Sequence, residues 1–157
     1  MARIGLISDT HGLLRAEAVA FLRGSDRILH AGDIGHTSVL DELRALAPVT
    51  AVRGNNDRGP WSDTVPETDL LKVEDVLVYV LHDLAELDID PVAAGVRVVV
   101  SGHSHRPSVE DRDGVLYVNP GSSGPRRFRL PVAVAELHVA GARVDARLVE
   151  LDLARSA

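Results

Sequence analysis

The sequence predicts an α/β fold in which two sheets pack together with helices outside. The front half alternates strand-like and helix-like patterns, while the back half is nearly all strand with tight-turn signals between. RIGLIS (residues 3–8) is an apolar run ending at Asp9. In the following LRAEAVAFLRG, Leu14, Ala18, Phe21 and Leu22 share one helical face and Gly24 marks the stop. RILHAG (27–32) reads as the second strand and ends at Asp33. Ser38 with Asp41 makes a capping-box-like start to SVLDELRALA, which closes before Pro48. VTAVRG (49–54) is the third strand. A β-α-β-α-β order implies parallel strands with right-handed crossovers.

LLKV and VLVYVL flank Glu74-Asp75 as a hairpin, and a short helical piece over 84–94 leads to the strand VRVVV. Two more hairpins are expected, one turning at Asp113-Gly114 and one at Ala140-Gly141. RGPWSDTVPETD (58–69) reads as a long loop, a kind of segment that often carries function in a compact domain. There are no repeats, low-complexity tracts or linkers, so residues 1–157 are read as one domain.

Composition narrows the function classes. The net charge of −6, from 17 basic and 23 acidic residues, offers no basic footprint for nucleic acid or an acidic membrane surface. Aromatics at 3% make base-stacking platforms improbable. With no cysteine, any metal must be held by His, Asp, Glu, Asn or backbone. No signal peptide and no run of the ~20 apolar residues needed for a membrane span is visible, so a cytoplasmic protein is expected. The oligomeric state stays open, a homo-oligomer included.

Metal-binding residue types recur just after the apolar runs. Asp9 and His11 follow the first strand, Asp33 the second, Asn55, Asn56 and Asp57 the third. His82 ends VLVYVLHD, and His103 and His105 follow VRVVVSG. Ligands in open α/β sheets collect beyond the carboxyl ends of parallel strands. Loops from five strand ends can therefore meet at one site. In an extended segment, His103 and His105 would point the same way. Nitrogen and oxygen donors without sulfur suit Mn²⁺, Fe, Zn²⁺ or Ni²⁺ better than Ca²⁺.

The order DTH, GD, GNND, H and GHSH resembles the calcineurin-like metallophosphoesterases, and within them the small single-domain, YfcE-like phosphodiesterase branch. The resemblance runs from SDTHG through NPGSSGPRR (119–127). It implies a four-layer α-β-β-α sandwich of two mixed sheets with a binuclear metal centre at one edge. By position, Asp9, His11, Asp33 and His105 would hold one ion, and Asp33 would bridge to a second completed by Asn55, His82 and His103. Mn²⁺ is the first expectation for both ions, ahead of Ni²⁺, Fe and Zn²⁺. The implied activity is phosphodiester hydrolysis, in which a hydroxide held between the ions attacks phosphorus in line. A phosphomonoesterase differs only in substrate. The same fold also serves as a non-catalytic scaffold, as in a retromer subunit that binds protein partners.

Two departures from the family pattern stand out. Asn56 occupies a position where many relatives carry a histidine near the leaving group, and an amide can hydrogen-bond there but cannot deliver a proton. Relatives often read H-G-H where this chain has His82-Asp83-Leu84. Arg58, together with Arg126 or Arg127, is a candidate partner for substrate phosphate. His30 is expected to pack behind the site, His36 to start a helix at the surface, and His138 to be structural. Asn119 and Gly121 are expected to shape a turn near the metals.

Overall fold

The structure, a computed structural model, describes residues 1–127 and 129–153. Strands β1 (Ala2–Ile7), β2 (Arg27–His30) and β3 (Val49–Ala51) are parallel neighbours, as the alternating front half implies. The late hairpin β9 (Ala133–Ala140) and β10 (Arg143–Glu150) adds antiparallel to the free side of β1. This gives a first sheet in the order β10-β9-β1-β2-β3. The second sheet runs β4-β5-β6-β8-β7, from β4 (Thr68–Val73), β5 (Val76–Leu81), β6 (Val96–Val100), β7 (Ser108–Arg112) and β8 (Val115–Asn119).

The layers follow from where apolar side chains point. Ile4, Leu6, Leu29, Val78, Val98 and Leu137, all fully buried, belong to one core shared by the two sheets. Helices α1 (Ala16–Leu22) and α2 (Thr37–Arg44) cover the other face of the first sheet through Leu22, Val39 and Leu43. Among the described residues, the outer face of the second sheet carries only a 3-10 turn over Leu84–Glu86 and α3 (Pro91–Ala94), over a small cluster around Tyr79, Leu81 and Val99. The α-β-β-α sandwich is therefore present, with a thin fourth layer. The expected helical piece over 84–94 is split because Pro91 sets the start of α3 and Asp90 before it is extended, capping the helix with its side chain.

Several local expectations shift. Helix α2 starts one residue earlier than read and is capped by His36, whose Nδ1 accepts the Ser38 amide at 3.0 Å. The Ser38/Asp41 capping box does not form. Instead, the Ser38 hydroxyl pairs with His36 Nδ1 at 2.9 Å. The Asp113-Gly114 turn has φ 54° and 82°, the left-handed pair that Asp-Gly supplies. The last hairpin turns at Gly141-Ala142 rather than Ala140-Gly141, since Ala140 pairs with Arg143. The long loop is tied down: Ser62–Thr64 form a 3-10 turn, Trp61 packs toward the helical core, and β4 begins at Thr68. No helix among the described residues is long and apolar enough to cross a membrane.

Candidate metal centre

The carboxyl ends of β1, β2, β3, β5 and β6 converge at one edge of the sandwich. Asp9 lies fully buried just after β1. Its Oδ2 accepts from the Ser8 hydroxyl at 2.7 Å and from the His103 amide at 3.1 Å. Among the described residues, its Oδ1 makes no hydrogen bond of ordinary geometry. That atom faces three imidazole Nε2 atoms, of His105 at 3.3 Å, His11 at 3.9 Å and His82 at 4.0 Å. Asp33 Oδ2 stands between His82 Nε2 at 3.4 Å and His11 Nε2 at 3.7 Å. Two triads of donor atoms result, Asp9-His11-His105 and Asp9-Asp33-His82, each with all atoms within 4.8 Å of one another.

Asn55 and His103 complete the ring. Asn55 Oδ1 lies 2.9 Å from His82 Nε2 and 3.2 Å from His103 Nδ1. His105 Nε2 thus faces Asp9 while His103 Nδ1 faces Asn55, so the two rings diverge rather than point the same way as they would in an extended segment. Both have left-handed φ, 70° and 62°, so the GHSH segment is not extended. Asp9, His11 and Asp33 share this conformation, at 55°, 47° and 55°. Each such residue costs on the order of 1 kcal/mol, and strain of this kind concentrates at functional sites. Five of seven candidate ligands carry it.

Tight backbone approach makes this geometry possible. A Cβ on Gly54 would collide with the Asp33 amide and carboxylate, and one on Gly102 with the Ser8 hydroxyl and the Asp9 carboxylate. Asp57, buried, braces the same region by accepting amides of Ile34 at 3.2 Å, Gly35 at 2.9 Å and Gly54 at 2.9 Å. It acts as a clamp between the β2 and β3 loops, a part that its place in GNND did not reveal.

The donor set fits divalent cations. Burial pushes the Asp33 carboxyl up, but hydrogen bonds from His82 and from the Asn56 backbone and amide hold it well below the ordinary range. Burial likewise works against ionised Asp9, and is outweighed by contacts with His105 and Ser8. Burial favours a neutral His82 ring, yet its bond to Asp33, its bond to Ala31 and the two carboxylates raise its pKa above the usual value. Buried anions that draw a proton onto a neighbouring imidazole present the charge deficit a cation relieves. His82 Nδ1 is bonded to the Ala31 carbonyl at 2.7 Å, so that nitrogen carries the proton and Nε2 is left to face the cluster.

Other sequence-based candidates fall around this core. Asn56 donates its backbone amide to Asp33 Oδ1 at 2.9 Å and its side-chain amide to Oδ2 at 3.0 Å. Arg58 is exposed in the turn after Asp57, with no hydrogen bond or ion pair among the described residues. Arg126 donates Nε to the Leu130 carbonyl at 3.2 Å. Burial, with smaller help from the charges of His105 and Arg127, keeps His11 below the ordinary histidine value despite Asp33 and Asp9. Asn119 Nδ2 donates to the Gly102 carbonyl at 3.0 Å and Ser104 Oγ at 3.1 Å, while its Oδ1 takes the Gly121 amide, the expected turn. His138 pairs with Glu136 at 2.9 Å, away from the site.

His30 sits behind the centre, wholly buried. Its Nδ1 accepts the Gly32 amide and its Nε2 meets the Thr10 hydroxyl, each at 3.0 Å. Burial drives its pKa down to about 4. The neutral ring therefore stabilises the fold fully above the unfolded value near 6.5, and the contribution falls away as pH drops toward 4. Between pH 7 and 4 this group accounts for roughly 3 kcal/mol. Denaturant melts of metal-free protein should show that slope, and His30→Gln should flatten it. Parallel slopes in both proteins would remove His30 as the cause.

Residues 2–141 match the model of the calcineurin-like phosphoesterase superfamily domain. The chain belongs to this superfamily. A probable metallophosphoesterase of Methanothermobacter thermautotrophicus is 37% identical, over 93% of this chain and 91% of its own. Among solved structures, one described as a novel archaeal phosphodiesterase superposes with TM-score 0.77 at 22% identity, covering 94% of this chain and 99% of its own. Vps29 of Entamoeba histolytica complexed with Zn²⁺ superposes at 0.72 with 20% identity, covering 94% and 98%. These likenesses agree with two packed five-stranded mixed sheets as the superfamily's architecture. They mark the chain as a member of a metal-dependent phosphoesterase family.

Proposed function

We propose that the protein is a phosphodiesterase that works with two divalent cations, Mn²⁺ foremost, held at the Asp9–Asp33 cluster. The observation that carries the reading is Asp9 Oδ1, a fully buried carboxylate oxygen with no hydrogen bond of ordinary geometry among the described residues and three imidazole nitrogens around it. Asp9, His11 and His105 would hold one ion, and His82, Asn55 and His103 the other, with Asp33 between His11 and His82 serving both. When bound, such ions would lower the pKa of water toward roughly 7 and would neutralise charge on the phosphoryl oxygens.

The remaining work falls to the chain itself. Asn56 holds both Asp33 oxygens and so fixes that carboxylate's rotation. Its amide has no titratable proton to give a leaving group, so activated aryl esters suit the site better than alkyl esters. His103, with nearly half its side chain exposed, forms the solvent-facing rim. Arg58 and Arg127, both exposed, are candidate partners for a substrate phosphate. A small soluble phosphodiester is the expected partner.

A scaffold role is the competing reading, favoured by the fold shared with Vps29. Removal of metal separates the two. Chelator-treated protein should bind two equivalents of Mn²⁺ and, on loading, recover hydrolysis of bis(p-nitrophenyl) phosphate by at least about 10³-fold over the stripped protein. Absence of turnover with two equivalents of Mn²⁺, Ni²⁺, Fe²⁺ or Zn²⁺ would leave the scaffold.

A further inference from the structure

Two cavities adjoin the candidate ligands. One, of about 290 Å³, is lined by Asn55 and His82 together with Arg53, Glu67, Glu86 and Asp88. The other, of about 210 Å³, is lined by Gly102 and His103 together with Glu110, Arg112 and Tyr117. Asp83 lines both. It follows His82 directly.

The Asp83 carboxylate is fixed in place. Its Oδ1 accepts the Ala85 amide at 3.0 Å, capping the 3-10 turn, and Oδ2 points back to within 3.8 Å of His103 Nε2. Nearby cations do not cancel it. Arg53 is taken up by Glu67 at 2.8 Å and Asp63 at 3.8 Å, and Arg112 by Glu110 at 2.6 Å. With those pairs set aside, the first cavity keeps the charges of Asp83, Glu86 and Asp88, and the second keeps that of Asp83.

We propose that Asp83 is a specificity-determining residue that makes the site favour singly charged phosphodiesters with neutral or cationic ester groups over doubly charged phosphomonoesters. The proposal rests on the phosphoesterase reading above. A monoester carries close to two negative charges above its second pKa of about 6, whereas a diester carries one. An ester group entering either cavity passes Asp83, and an extra anionic oxygen there meets a fixed like charge. One such charge near a partly solvated site changes relative rates by roughly threefold to tenfold, and less at high salt.

The experiment compares p-nitrophenyl phosphate with methyl p-nitrophenyl phosphate, which share a leaving group, on metal-loaded protein at pH 8. Asp83→Asn keeps a good helix-capping side chain and removes the charge, and Asp83→Ser does the same with a shorter group. In both variants the monoester-to-diester ratio of kcat/KM should rise about threefold to tenfold, mainly through KM. Raising the salt should lift that ratio in the wild type and barely move it in the variants. Calorimetric binding of phenylphosphonate against its monomethyl ester should shift in the same direction, without turnover. A residue that only caps the turn or orients His103 would depress both esters alike and leave ratio and salt response unmoved, which would overturn the proposal. Diester hydrolysis with an unmoved ratio sinks this inference alone. Failure to hydrolyse either ester sinks it along with the phosphoesterase reading.

Discussion

Asp33→Asn should cut phosphodiester turnover by about 10²–10⁴-fold and abolish binding of the second metal equivalent, while leaving the fold intact. Asparagine tolerates the left-handed backbone that Asp33 adopts at φ 55°, so the β2 loop keeps its path. What changes is the charge between His11 and His82. A neutral amide does not stabilise a cation as a carboxylate does, and turning its oxygen toward the cluster brings its NH₂ against the donors of Asn56. Elemental analysis and steady-state assay on one preparation would test this. Full occupancy with full activity would show that Asp33 serves neither ion.

His105→Asn is expected to weaken metal binding by at least about 100-fold, with a corresponding loss of activity at limiting metal. His105 is almost wholly buried and brings Nε2 within 3.3 Å of the unpaired Asp9 oxygen and 3.5 Å of His11 Nε2. Two imidazole nitrogens so close, both directed at a carboxylate, are the arrangement one shared cation would hold together. Asparagine is preferred to alanine because residue 105 is left-handed at φ 62°. Chelator competition gives the affinity. Thermal melts supply an internal control: the metal-free variant should melt near the metal-free wild type but gain little on adding Mn²⁺. An unchanged metal-induced gain would remove His105 from the ligand set.

Much of the architecture was legible from short stretches. Asp113-Gly114 announces its turn because two left-handed residues are a local demand that Asp-Gly meets cheaply. The five strand ends were legible because metal-binding residue types sit directly after apolar runs. Other features depend on contacts distant in sequence. The left-handed conformations of His103 and His105 are imposed by neighbours such as Asp9, which takes the His103 amide across 94 residues. Asp57 reads as one more turn residue until the β2 loop supplies the amides it clamps. His36 was legible as a helix-start residue, as it is, but its capping bond was not, because capping rules favour Ser, Thr, Asp and Asn while an imidazole nitrogen does the same work. Asp83 looked like a mere gap in the family pattern, and only the two cavities beside it give its charge a role.

The convergence of both sheets on one cluster has a mechanical side. Asp9, His11, Asp33 and Asn55 come from the first sheet's loops, and His82, His103 and His105 from those of the second. A cation held jointly by His11 and His105 closes a loop of 94 residues in a chain with no cysteine. It would act as a removable rivet, constraining the unfolded chain in the way a disulfide over a similar span does, by several kcal/mol on the loop-entropy view. Unlike a disulfide, this fastening is indifferent to reducing conditions and sensitive to chelators and acid. Resistance of the protein to proteolysis should therefore follow the supply of divalent metal around it, independently of whether any substrate is present.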